Sequence, residues 1–396
     1  GFLLFNAGVS SAVPDAHTGN DLASLGVTVL NLAPNISFAT NTLALLEDSA
    51  ALSVPAFLQV SPQETNQTIT NVTVTASNPA LFSVQPRFET NGTLNLTLAG
   101  DVSGSSVITV VATDDGGTAS GGADRSTNSF TVTVTAVNDA PSFTTATNNV
   151  VVLEDAAGQT LPGFVTASVG PADEAGQGVT NYTVTSSLPG LFAVGPAVAL
   201  DGTLTFTPAA NSNGIATITV IAQDNGGTAN GGADRATNSF TITVSAVNDA
   251  PSFTMASNNV VVLEDAGLVT LAGFITSVSP GPADEAAQSV TNFVVVATNS
   301  ALFAVAPAIG TNGTLTFTAA TNVSGVATVF VQAQDDGGTA NGGTNGSLKQ
   351  SFTITISDVN DAPIITLTTN TVFGSEDSGA QTITAFATFL TIESGQ

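Results

Sequence analysis

The chain has 396 residues, enough for two to four domains of ordinary size. Thirty Asp and Glu against four Lys and Arg give a formal charge of -26, which argues against nucleic acid and anionic membrane surfaces as partners. The absence of Cys removes thiolate metal sites, thiol catalysis and disulfides, while 42% apolar residues against 9% charged ones are too hydrophobic for a disordered acidic tail.

No apolar run reaches the roughly 18 residues that span a bilayer. The chain opens on Gly1 rather than Met, which reads as a mature product or an excised fragment. Residues 1–30 hold an apolar segment (GFLLFNAG), a polar loop and GVTVLNL, the order expected for the last two strands of a repeat. From Asn31 onward the same landmarks return. NLAP stands at Asn31 and NDAP at Asn138, Asn248 and Asn360, at intervals of 107, 110 and 112 residues. They divide the chain into three full units, 31–137, 138–247 and 248–359, and the head of a further one at 360–396.

Within each unit the order is fixed. LALLEDS at 43 matches VVVLEDA at 150 and 260 and VFGSEDS at 372. GPADEA at 170 returns at 281, and NGTLNLT at 91 answers DGTLTFT at 201 and NGTLTFT at 312. TDDGGTASGGADR at 113 matches QDNGGTANGGADR at 223 and QDDGGTANGGTNG at 334. Between these lie segments rich in Thr, Val, Ile and Phe that alternate with period two, such as SFTITVSAV at 239–247. About seven such strands in some 110 residues predict an all-β fold, a tandem array of Ig-like β-sandwiches forming an extended rod. Phe192, Phe206 and Phe240 are predicted to fill one core.

Strand direction alternates, so every loop can be assigned to one end of its sandwich. With strands lettered A to G, the Glu-Asp pair after A and the Asn-Asp link after G fall at the lower end. The Asp-Glu loop between B and C and the loop after F fall at the upper end. The first junction then gathers Glu47, Asp48, Asn138, Asp139, Asp173, Glu174 and Asp224. The second gathers Glu154, Asp155, Asn248, Asp249, Asp284, Glu285, Asp335 and Asp336. The third has Glu264, Asp265, Asp358, Asn360 and Asp361, with Glu393 beyond. So many carboxylates in one joint repel one another unless neutralised. Oxygen donors without His or Cys suit Ca2+, which takes six to eight oxygens in flexible geometry.

On these residues the chain resembles a tandem array of cadherin-like repeats of the kind found in large bacterial surface adhesins. VNDAPSF at 137 and 247 is similar to the cadherin linker, VLED at 152 and 262 to the Glu after strand A, and AQDNGG and AQDDGG to the Ala-x-Asp segment after strand F. The resemblance implies calcium ligation between consecutive domains and an extracellular, cell-surface array stiffened by it. It departs at PADEA, where cadherins carry Asp-x-Asp, and the Asp-Arg-Glu motif is absent. Unit 1 departs further, with SPQETN at 61–66 and NLAP for NDAP, so weak calcium binding is expected above it.

The remaining signals read as structural. The GGTANGGAD segments occur once per unit and predict long flexible loops, with Arg125 and Arg235 paired to the adjacent Asp124 and Asp234. His17 is single and builds no triad. Paired carboxylates can hydrolyse glycosides, but here they recur in every unit beside no Trp and one Tyr, so no enzyme is expected. A carbohydrate- or protein-binding module of a surface adhesin is the rival, and it requires one unit unlike the others. The incomplete ends point to another copy of the chain as partner, joined head to tail, or to continuation of the same array. Cell-surface or matrix ligands would lie beyond it.

Overall fold

Alternation sets the strands. In Gly104–Asp114 every second residue (Ser106, Ile108, Val110, Ala112 and Asp114) is buried while those between are at least partly exposed. A computed structural model describes residues 30–390 other than Pro363. The two strands expected before Leu30, and also His17 and Glu393, lie outside the described residues.

Unit 1 contains β1 (Asn35–Phe38), β2 (Thr42–Leu46), β3 (Leu52–Val54), β4 (Leu58–Ser61), β5 (Ile69–Ala76), β6 (Phe82–Phe88), β7 (Leu94–Leu98), β8 (Gly104–Asp114) and β9 (Arg125–Thr135). One sheet runs β2-β9-β8-β5, with β2 parallel to β9. The facing layer holds β3-β7-β6 and the antiparallel pair β1-β4. These are the seven lettered strands, with A divided into β1 and β2 and B into β3 and β4. The break in B falls at Ala56, whose φ of 52° is matched by Gly163 and Gly273 at 62° and 68°. The same order recurs from Ser142–Thr145 to Arg235–Ser245 and from Ser252–Met255 to Gln350–Ser357. After it, Ile364–Leu367 pairs antiparallel with Ala387–Leu390, repeating the β1-β4 pairing.

Each sandwich closes over an aromatic contact: Phe57–Phe130, Phe164–Phe240 and Phe274–Phe352, with ring centroids 4.8, 4.8 and 4.7 Å apart. Phe192, Phe206 and Phe240 are all buried, as the alternation requires. Phe therefore supplies the bulk that Trp and a disulfide supply in antibody domains. Among the described residues there is no α-helix, and no helix is long and apolar enough to cross a membrane.

Candidate cation sites at the unit junctions

The buried alternation of strand F ends on a carboxylate. Asp114, Asp224 and Asp335 occupy the last inward position of that strand in units 1, 2 and 3 and are 4, 3 and 5% exposed. At the upper end of unit 2 this carboxylate meets the linker. Asp224 Oδ1 accepts from Gly226 N at 3.0 Å and from Asn138 Nδ2 at 3.1 Å. Asn138 also donates from Nδ2 to Ala233 O at 2.6 Å, and its own carbonyl accepts from Ala233 N at 2.8 Å. The loop after strand F was expected to be long and flexible. Instead it folds back through a 3-10 turn at Ala229–Gly231 and clamps the linker Asn. Gly226 is required here, since a Cβ on it would lie 1.6 Å from Asn138 Oδ1 and 2.5 Å from Gln177 Oε1.

The loop between B and C closes the other side. A 3-10 turn, Ala172–Glu174, buries Glu174 to 5% exposure, and its Oε1 accepts from Asp139 N at 2.7 Å. After these bonds Asn138 Oδ1, Glu174 Oε2, Gln177 Oε1 and Asp224 Oδ2 remain buried and without a hydrogen-bond partner. All four are acceptors. Asn248, Glu285, Gln288 and Asp335 repeat this set at the upper end of unit 3.

The lower end of each unit contributes the Glu-Asp pair. Glu47 is 3% exposed; its Oε1 accepts from Val137 N in the linker, and its Oε2 has no partner. Glu154 and Glu264 make the same contact with Val247 N and Val359 N. The Asp that follows adopts left-handed backbone (φ 57° at Asp48 and Asp155, 59° at Asp265), which turns the chain. Asp48 Oδ1 accepts from Asp101 N at 3.3 Å and Asp155 Oδ1 from Asn211 N at 3.0 Å.

The two ends meet across each joint. Carboxylate oxygens of Asp48 and Asp101 from unit 1 and of Asp139 from the linker lie within 4.8 Å of one another. Glu47 touches Asp173 of unit 2; burial first, then that neighbour, raises its pKa to about 7. Asp139 is likewise raised, by burial and then by Asp48, Glu174, Asp101 and Asp173. In the second joint Glu154 is raised by burial and by Asp284, and Asp249 by burial, Asp155 and Asp284. Asn213 of unit 2 donates to Asp284 Oδ2 of unit 3 at 3.2 Å. No Lys or Arg forms an ion pair with any of these carboxylates among the described residues.

The structure thus brings Glu47, Asp48, Asn138, Asp139, Asp173, Glu174 and Asp224 to one joint and Glu154, Asp155, Asn248, Asp249, Asp284, Glu285 and Asp335 to the next. Asp336, beside Asp335, pins the B–C loop. Its Oδ1 accepts from Ser289 N at 2.8 Å, as Asn225 and Asp115 do for Gly178 and Thr68. At the third joint Glu264 is 2% exposed and accepts from Val359 N at 2.8 Å, one residue before Asn360 and Asp361 in the linker. Arg235 pairs with Asp234 at 3.7 Å, whereas Arg125 reaches Thr113 Oγ1 at 3.5 Å.

Three features go beyond the sequence expectations. Asp101 lies in the loop between E and F, where units 2 and 3 place Asn211 and Asn322 in the same left-handed turn. The Gln three residues after the buried Glu recurs as Gln67, Gln177 and Gln288, an E-x-x-Q repeat visible once the units are aligned. It also aligns the divergent SPQETN segment. Consequently the upper end of unit 1 keeps unpartnered acceptors on Asn31, Glu64, Gln67 and Asp114. Leu32, whose N donates to Glu64 Oε1 at 2.8 Å, stands where the later linkers have Asp139 and Asp249.

No family model and no curated protein match the chain. Solved structures that match are cadherin and protocadherin extracellular repeats. Mouse cadherin-23 EC22-24 is 15% identical over 83% of this chain and 100% of that one, with a TM-score of 0.45. Mouse protocadherin-24 EC1-3 is 16% identical, covering 85% and 100%, with a TM-score of 0.42. Protocadherin gamma B2 domains 1-5 are 16% identical, covering 82% and 60%, with a TM-score of 0.47.

Proposed function

We propose that the chain is an extracellular structural and adhesive array whose β-sandwich units are stiffened by Ca2+ at their junctions, as in a surface stalk or matrix fibre. One observation carries the reading: the first and second joints each bury carboxylate and amide oxygens that have no donor, contributed by both units and the linker. Buried polar atoms are ordinarily paired, and buried charge is costly unless neutralised. Acceptor-only oxygen sets exclude soft-metal chemistry and fit a hard cation with a large, adaptable shell. At the first joint Glu47, Asn138, Asp139, Glu174, Gln177 and Asp224 would hold the ions, with Asp48, Asp101 and Asp173 adding charge. Calcium would supply the positive charge that cancels their repulsion and tie two rigid sandwiches through one linker.

Calorimetric titration of the chelator-treated chain is the direct test. Calcium uptake tighter than millimolar is expected, and no uptake in that range would end the proposal. Shape offers a second check. Strands of 8–10 residues make a unit roughly 30–40 Å tall, so small-angle scattering should show a particle extending well beyond about 100 Å, with a narrower distribution when calcium is present.

The raised carboxyl groups give the pH dependence its sign. Glu47 titrates at about 7 in the folded chain instead of 4.5, so the folded state binds more protons between those values. In chelator its contribution is therefore full below about pH 4.5 and is lost as pH rises through 7. Calcium reverses the trend, because uptake must displace that proton. Thermal melting in chelator should show the first joint's contribution falling between pH 5 and 8, and calcium affinity rising over the same interval. A calcium affinity flat across that range would contradict the assignment of Glu47.

A further inference from the structure

Unit 1 differs from its neighbours in how its core is filled. In units 2 and 3 strands A and C meet through an edge-on aromatic pair, Phe143 with Tyr182 and Phe253 with Phe293, with centroids 6.4 and 5.7 Å apart. Tyr182 and Phe293 lie opposite Ala222 and Ala333 of strand F; the residue opposite the equivalent Ala112 is Val72. The partner on strand A is Ile36. The aromatic mass of unit 1 sits one inward step further along, at Phe38, which packs on Phe130 at 5.0 Å and Phe57 at 6.0 Å. Phe88 joins the same group, 6.4 Å from Phe57.

The core of unit 1 is divided as a result. Units 2 and 3 each hold one continuous buried cluster, whereas in unit 1 Ile36, Leu58, Val110 and Ala112 form a group of their own. Between strands B, C and D a pocket of 560 Å³ opens, lined by Leu58, Val60, Ile69, Val72 and Phe88. The matching recess of unit 3, beneath Phe293, measures 170 Å³. Arg87 lies on the wall of the larger pocket and is exposed. It is one of four basic residues in the chain and makes no ion pair among the described residues. Glu89 lines the same pocket, and its Oε1 is engaged by Asn95 Nδ2 at 3.0 Å.

A pocket of this volume, with apolar side chains on one side and Arg87, Glu89 and Thr90 on the other, has the ordinary make-up of a small-molecule site. We propose that it binds a small amphipathic anion, the apolar body replacing the missing aromatic ring and the acidic head resting on Arg87. The charge of -26 disfavours anions at long range. At about 0.15 M salt that field is screened beyond roughly 8 Å, which leaves Arg87 to act locally. The inference is independent of calcium, and it gives the array the one unlike unit that a binding module requires.

The probe is 8-anilinonaphthalene-1-sulfonate, an aromatic anion that fluoresces when desolvated, titrated into the full chain at physiological salt. Saturable binding is expected. Val72→Phe, which places the counterpart of Phe293 in unit 1, should abolish it, and Ile36→Phe with Val72→Tyr, which copies unit 2, serves if the single change disturbs folding. Arg87→Gln should weaken it about fivefold, the upper range for an exposed ion pair, and leave uncharged N-phenyl-1-naphthylamine unaffected. Phe143→Ile with Tyr182→Val should open a second site in unit 2. Dye binding that survives the filled pocket with circular dichroism unchanged overturns the proposal, and so does equal affinity in Arg87→Gln.

Discussion

Asp249→Ala is expected to weaken calcium binding at the second joint by at least about tenfold, the lower range for losing a group that merely orients a ligand. Asp249 sits in the linker, its N bonded to Glu285 Oε1 at 2.7 Å and its Oδ2 buried without a donor. It faces Asp155 below and Asp284 above, and both raise its pKa further once burial has acted. Removing the carboxylate takes away a ligand shared by both units and, in chelator, also removes a repulsion. The two conditions must therefore respond oppositely: a looser joint in calcium, an unchanged or slightly tighter one in chelator. None of the three cores contains the residue, so each sandwich should melt at its former temperature once calcium is removed. Scattering profiles identical to the parent in saturating calcium, with unaltered affinity, would show that Asp249 is not a ligand.

What could be read from the chain alone follows from how a sandwich uses sequence. Inward residues must be apolar at every second place, so Ile218, Val220 and Ala222 announce strand F, and the same rule places Asp224 inside. The paired motifs are legible because residues fixed to opposite ends of a unit recur together. Asp101 is not, since any residue that tolerates a left-handed turn can hold that loop, and units 2 and 3 use Asn there. Gln177 is marked only by the E-x-x-Q recurrence, because an amide oxygen taken alone looks like ordinary polar surface until Gly226 and Asn138 enclose it. The glycine-rich loop is flexible by composition, yet at Gly226 and Gly232 Asn138 comes too close for a side chain. Nor is the altered core of unit 1 visible in its strand pattern. Ile36 and Val72 satisfy the alternation as well as Phe143 and Tyr182 do, and only volume distinguishes them.

Phe240→Ala should be the most damaging single change, and it should damage one unit only. Phe240 is 3% exposed and lies 4.8 Å from Phe164 at an interplanar angle of 59°, at the centre of the unit 2 cluster. Truncating a buried Phe costs about 3–5 kcal/mol through lost transfer energy and the cavity left behind. In a domain of roughly 100 residues each kcal/mol moves the midpoint by about 4–8 °C, so unit 2 should melt at least about 12 °C lower. The cores of units 1 and 3 are separate clusters with their own pairs, Phe57–Phe130 and Phe274–Phe352. In chelator, where little couples the units, calorimetry should resolve one shifted transition beside two unshifted ones, and Phe130→Ala or Phe352→Ala should move a different one each time. Saturating calcium should draw the transitions together, since ions held by two units are lost when either unfolds. One cooperative transition that shifts as a whole in chelator would show that the units are coupled through protein contacts alone, and the junction ions would then have no stiffening left to provide.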